Sequence, residues 1–520
     1  MESVLSTLSA RLEAVKQRSI EEAVAGLQET LEELAGEGLS AAELVPLLEL
    51  IRSALPGEIN RLSKAWYADR PLPLAPPERA MLSGMHSLFG NLSDLYWMCC
   101  QQFEREPASE SEARNLNLAG TLQRCVHALV SRMIEDFRAR QVIDPGRWLE
   151  LHRIIDKAAA LGLNTLAVPD PLNPSGFSAV NTTYGRAVLL ASAQAGAMTP
   201  RTLDATLALT GVLEPFIDCS WQAGQAVAET SSVQAAGRLR VLRAAGMTHL
   251  LNNTRLAGAL LSCSQKLSAG EAVASLDVLP ISRSEVAGLL ARLHRVWCGT
   301  GEIRSAQRTR SDEKAVVGSG FYAIYRLLSG KSFAIPHPFH VYLTNIRPGQ
   351  GAADKRAELA DTGEAAAWRI LDRSGEGLRA ARPPGEARLT RGFLMGISVE
   401  AQGKPVEFSL GEVRWVQEDA ASPEPSISAG IKLLPGKVRH GIMCARGGKD
   451  GAMYQEVVPV FMLDQSAAPK LIVPNGGWQA DRTVDVWHEN QVWQYTMGEQ
   501  ILRTVDFEAG RYTVVAPARR

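Results

Sequence analysis

The apolar residues of this 520-residue chain keep a helical spacing up to about Cys298 and a strand-like spacing after it, so two kinds of architecture must follow one another. Upstream, Leu5, Leu8, Leu12 and Val15 recur at helical intervals, as do Ile20, Val24, Leu27, Leu31 and Leu34. Gly36 and Gly38 close that second segment. Ser40-Ala-Ala-Glu43 reads as a capping box, in which the Ser oxygen and the Glu carboxylate satisfy orphan backbone N–H groups. Leu122, Val126, Leu129, Met133 and Phe137 form another stripe, and Thr199-Pro200 sets a cap and a Pro at a first turn. A second capping box, Ser282 to Glu285, leads into VAGLLARLHRVW. Loops are expected at 68–78 and 168–178. No fixed repeat period emerges, so a solenoid of helix pairs and an irregular bundle both stay open.

Downstream, AVVGSGFYAIY, FLMGISV, GEVRWVQ, SISAGIKLL, KLIVP, RTVDVW and RYTVVAP read as strands parted by Gly, Pro, Asn and Asp clusters. Such spacing predicts a small antiparallel barrel or sandwich. The Gly-, Ala- and charge-rich stretch from Asn345 to Glu364 reads as a long inserted loop, and strands after about Met453 as a further β-subdomain. The expected fold class is α+β multidomain: a helical array over 1–298, a β-barrel domain over 299–450 with its inserted loop near 345–364, and a C-terminal β-subdomain over 451–520. About three domains suit this length.

Charge and cysteine content exclude several functions. Lys and Arg number 55 against 56 Asp and Glu, a net charge of −1, which provides no general footprint for nucleic acid or an anionic membrane. No apolar run reaches the about 18 residues needed to cross a bilayer. The N-terminus MESVLSTLSARLEAVKQ is amphipathic, unlike a secretory leader. Seven scattered cysteines without a C-x-x-C pair fit small buried hydrophobes in a reducing cytoplasm, the expected location.

Catalytic signatures are missing: no Walker A loop, no strand-borne G-x-G-x-x-G, no G-x-S-x-G and no H-E-x-x-H. His337 and His340 in IPHPFH read as a turn, because a metal site needs more ligands than two. Cys99 and Cys100 beside Trp97 and Met98 read as a buried helix face. The chain is therefore expected not to be an enzyme; an enzyme built on His337 or His440 is the remote alternative.

Two patterns at the helical/β junction combine. Arg304-Ser-Ala-Gln-Arg308 precedes the strand beginning near Ala315, and Arg304 to Lys314 carries Arg304, Arg308, Arg310 and Lys314 against two acidic residues. Asp372-Arg-Ser374-Gly-Glu-Gly377 directly follows the apolar run Trp368-Arg-Ile-Leu. Two guanidinium groups four residues apart can wrap a compact dianion, since the Arg fork bonds phosphate or the O6/N7 edge of guanine in bidentate fashion. A carboxylate accepts from the guanine N1–H and exocyclic amine together. Ser374 adds a hydroxyl, and Gly377 permits close backbone approach or a positive φ. Read this way, the set is a guanine-plus-phosphate clamp; read blandly, it is a solvated basic turn and an Asp/Ser/Gly β-turn. Both readings stand on the residues alone.

The same residues resemble the R-x-x-x-R and D/N-x-S-x-x-G motifs of the PilZ domain family, bacterial receptors for cyclic di-GMP. The likeness extends to Trp368-Arg-Ile-Leu-Asp-Arg-Ser, to Leu410-Gly-Glu-Val-Arg-Trp-Val and to Ala429-Gly-Ile-Lys-Leu-Leu, covering about residues 301–445. The long form with a helical N-terminal region resembles receptors linked to type IV pili and surface attachment. The resemblance implies a PilZ-like antiparallel β-barrel in which Arg304 and Arg308 grip phosphates and guanine edges, Asp372 and Ser374 bind a guanine, and Gly377 shapes the turn. The 64 residues from Arg308 to Asp372 exceed the compact family pattern, which the insertion near 345–364 explains. What is implied is a non-enzymatic receptor with cyclic di-GMP as ligand and no cofactor. Protein partners would be reached through the helical region, with neither nucleic acid nor a membrane span involved. The alternative is a constitutive helical scaffold whose PilZ-like domain binds no nucleotide.

Overall fold

The computed structural model describes residues 8, 10, 12–14, 20–106, 111–223, 232–235, 238–242, 247–271, 273, 276, 279, 281–298, 308–343, 365–385, 387–399, 407–420, 422–445, 457–464 and 469–517. They form an α+β multidomain chain of two compact units, divided between Arg304 and Ser305, within the arginine segment. Helices first, then barrels and a strand-rich C-terminal part, follow the expected order, although the expected Leu5–Val15 stripe lies largely outside the described residues.

The first unit contains α1 (Ile20–Gly36), α2 (Ala41–Trp66), α3 (Pro76–Arg105), α4 (Ser111–Arg138), α5 (Pro145–Ala160), α6 (Val180–Ser192), α7 (Pro200–Leu213), α8 (Thr254–Ser268) and α9 (Arg283–Cys298). Their starts follow the capping chemistry. Glu43 Oε2 accepts from the Ser40 backbone N–H at 3.1 Å, Glu285 does the same for Ser282 at 2.7 Å, and Thr199 Oγ1 accepts from Thr202 N at 3.2 Å. The stripe from Leu122 to Phe137 is buried, as are Cys99, Cys100 and Cys125.

Burial also captures charge. Arg52 donates to Asp170 at 2.8 Å, Arg124 Nε to Glu49 at 2.9 Å, and Gln123 Nε2 to Ser178 Oγ and Thr183 Oγ1, both at 3.1 Å. This network anchors a hairpin, β1 (Val168–Pro169) with β2 (Phe177–Ser178), inside the stretch read as a loop. A buried Arg and Asp are tolerable only because each has such partners. The helical region also holds a four-stranded antiparallel sheet, ordered β3 (Asp218–Ala223), β6 (Met247–Asn252), β5 (Arg238–Leu242), β4 (Ser232–Ala235). The sequence reading passed over these strands, although Asp218–Ala223 and the start of Arg238–Leu242 alternate polar and apolar residues; each run is only four to six residues long.

The second unit begins its strands with β7 (Thr309–Arg310) and β8 (Lys314–Ser319). Both lie along β9 (Ala365–Arg373): Thr309 opposes Arg373, Arg310 opposes Asp372, and Lys314 opposes Arg369. They are one interrupted strand. The order then runs β9, β10 (Gly377–Arg382), β13 (Ser426–Leu434), β12 (Glu407–Asp419), β11 (Leu394–Val399) and back to β8, a ring of six strands without free edges. AVVGSGFYAIY was expected as one strand, but only its first part is. Gly320 (φ +80°) ends β8, and α10 (Phe321–Ser329) follows, burying Phe321 and Ile324. Phe321, Ile324, Tyr325 and Leu328 have the helical period that the strand reading overlooked.

β14 (Lys437–Ala445), β15 (Val457–Asp464), β16 (Lys470–Pro474), β19 (Phe507–Pro517), β18 (Gln491–Arg503) and β17 (Thr483–His488) close a second barrel. Pairing therefore separates the barrels between Leu434 and Lys437, upstream of the boundary drawn at 450. Val460, Met462, Leu471, Val484, Val486 and Tyr495 fill its interior. The two barrels share a further apolar cluster in which Phe321, Ile324, Leu394 and Leu410 meet Phe461, Ile472 and Phe507. The loop expected near 345–364 lies outside the described residues.

Candidate functional site: an outward-facing row on the first barrel

Strand alternation alone would point Asp372 into the barrel, since Trp368 and Ile370 are 3% and 0% exposed. A β-bulge prevents that. In the β9–β10 ladder Ala380 opposes Ile370 while Arg379 opposes Asp372, so Leu371 is an extra residue. Bulges re-aim the side chains that follow. Asp372 accordingly shares the outer face with Arg379 and remains partly accessible, at 21%.

Arg308 meets it there. Its Nη1 donates to Asp372 Oδ1, joining residues 64 apart in sequence. The Arg308 side chain is 29% exposed. β7 fixes the approach: Arg310 opposes Asp372, and the Ser311 backbone N–H donates to Leu371 O at 3.1 Å. The arginine segment from Arg308 onward is thus held on the barrel rather than swinging free ahead of it. Arg304 lies outside the described residues.

The second motif closes the β9–β10 hairpin. Ser374 N and Ser374 Oγ both donate to Gly377 O, at 2.8 and 3.1 Å. A Cβ on Gly377 would sit 2.6 Å from Ile431 O on β13. Gly377 is therefore needed for close strand approach and not for a positive φ, the other role allowed to it. The structure brings Arg308 and Asp372 into contact and places Ser374 and Gly377 in the adjoining turn.

The row continues across β10 and β13. Arg379 opposes Asp372 on one side and Gly430 on the other. Trp415 of β12 lies over Gly430, and the Arg379 guanidinium is 5.9 Å from its ring centroid. A base bonded to Asp372 would find the Arg379 cation one strand away and the Trp415 ring, over Gly430, two strands away, roughly 10 Å at the usual strand spacing. The sequence reading passed over Arg379 and Trp415 as candidates, although it quoted the strand that carries Trp415. The available signal was Gly430 inside a strand, which marks close approach by a neighbour.

The IPHPFH segment, read as a turn, runs into a short helix instead. His337 and His340 fall on α11 (His337–Leu343), and His340 Nε2 contacts Ile335 O at 2.9 Å. His440 packs edge-on against Tyr325, and burial lowers its pKa. No group of three or more His, Cys, Asp or Glu suited to a metal ion occurs among the described residues, nor does any helix long and apolar enough to cross a membrane.

Residues 6–223 match the family described as the N-terminal domain of the cyclic-di-GMP receptor FimW. That match supports a cyclic-di-GMP receptor; it falls on the helical unit and does not extend to the PilZ-like motifs. A search among curated proteins finds no match to this chain.

Proposed function

We propose that this chain is a non-enzymatic cyclic-di-GMP receptor of PilZ type, with the outer face of the first barrel as its nucleotide site. Arg304 and Arg308 take the phosphates, Asp372 and Ser374 a guanine edge, and Gly377 the turn that presents them; no cofactor is involved. The observation that carries the reading is the meeting of Arg308 and Asp372 on an accessible barrel face, beside the receptor family match of the helical unit. Acting in the cytoplasm, the helical unit hands the signal to protein partners in pilus-dependent motility or surface attachment.

Calorimetry on the full chain tests it. Cyclic di-GMP is expected to bind, Arg308→Ala and Asp372→Ala each to weaken it about 10-fold or more, and GTP to stay silent. Affinity should fall with added salt, because phosphate neutralisation is screened. A wild-type chain giving no heat at tens of micromolar (roughly, as Kd of 10 μM corresponds to about −7 kcal/mol) would favour a scaffold with a silent barrel.

A further inference from the structure

We infer, on the basis of the receptor reading above, that Asp372 is also the internal counter-ion of Arg308 and that ligand enters by an exchange of partners, which makes this ion pair a filter against ligands carrying phosphate without guanine. Arg308 Nη1 is committed to Asp372 Oδ1, yet both side chains keep contact with water, at 29% and 21% exposure. Arg310 and Arg379 occupy the ladder positions directly opposite Asp372 on its two sides. The carboxylate paired with Arg308 thus lies between the strand positions of two further arginines.

A bare phosphate approaching Arg308 must displace that carboxylate. It then leaves Asp372 without its Arg308 donor and beside a second negative charge. A guanine nucleotide avoids this penalty: its phosphate takes the guanidinium while its N1–H and exocyclic amine donate to the freed carboxylate. Both halves of the pair are re-partnered in one event. Adenine offers no such adjacent donors, because its N1 is an acceptor. Discrimination then comes from a repulsive element as much as from an attractive one.

The test is calorimetry on the full-length wild type, Asp372→Asn and Asp372→Ala, each titrated with cyclic di-GMP and with cyclic di-AMP at one ionic strength. In Asp372→Ala cyclic di-GMP should weaken about 10-fold or more, the scale of a hydrogen bond to a charged group, whereas Asp372→Asn, which the D/N-x-S-x-x-G motif accommodates, keeps an acceptor and should lose less. Cyclic di-AMP should instead bind to both variants about 5-fold more tightly than to wild type, the upper range for a partly exposed ion pair. The added change Arg308→Ala should erase that gain. If wild type binds cyclic di-GMP and neither variant gains cyclic di-AMP, Asp372 is a guanine acceptor only: the exchange is overturned and the receptor reading survives. If wild type binds no cyclic di-GMP, both fall. Circular dichroism of each variant confirms that a lost signal is not lost fold.

Discussion

The indole of Trp415 fills the space a side chain on Gly430 would need: a Cβ there would lie 2.1 Å from the indole nitrogen. The glycine is a seat for the ring. Gly430→Ala must therefore push Trp415 off the β13 surface, and with it the Arg379 guanidinium stacked at 5.9 Å. Overpacking of this kind costs about 1–3 kcal/mol. Urea unfolding should show that loss, and near-ultraviolet circular dichroism should show an altered tryptophan environment; an unchanged spectrum would contradict the seat.

The two small residues of the β9–β10 turn should behave differently. Gly377→Ala meets a backbone carbonyl, Ile431 O at 2.6 Å, which cannot swing aside as a side-chain tip could. We expect a loss of about 1–3 kcal/mol. Ser374→Ala removes only the 3.1 Å hydroxyl bond and keeps the backbone bond to the same oxygen, so about 1 kcal/mol or less is expected. Any larger loss of cyclic-di-GMP affinity in the serine variant then reports a ligand contact.

In the helical unit, Asp170→Ala would leave Arg52, 2% exposed, with Glu49 as its remaining carboxylate, and take a partner from Arg124. Burial works against the Asp170 carboxylate, but Arg124 and Arg52 hold its pKa below the ordinary value. Removing one member of a buried pair costs about 3–5 kcal/mol. Chemical denaturation should place that loss in the unfolding of the helical residues. A variant as stable as wild type would show the network to be dispensable.

Acid should weaken the same unit. Burial first, then the Arg52 charge, pushes the His127 pKa from 6.5 down to about 3. The unfolded chain takes up this proton as pH falls through about 6.5, while the folded chain refuses it until about 3. Stability tied to His127 is therefore complete above 6.5 and declines between 6.5 and 3, by at most about 1.4 kcal/mol per pH unit. Thermal melts across that window should fall less steeply for His127→Gln.

What the sequence disclosed depended on how local each cause was. Helix starts at Ser40, Thr199 and Ser282 were legible because a cap and its acceptor sit within three residues. Strand identities such as RTVDVW were legible from composition. The α10 helix was missed because nine residues offer only about two and a half turns of periodicity next to a strand that ends at Ser319. Arg308 and Asp372 could be paired as candidates by motif, but their contact depends on a ladder formed across 64 residues. Trp415 belongs to the same face through its packing on Gly430; a glycine inside a strand marks such an approach but not which side chain makes it.

The supernumerary residue at Leu371 has a consequence for anyone editing this hairpin. Shortening β9 by one position there would turn the carboxylate toward an apolar interior, out of reach of any dissolved nucleotide. Exchanging one side chain for another along the strand would leave its facing intact. Residue identity can drift at such a place; residue count cannot.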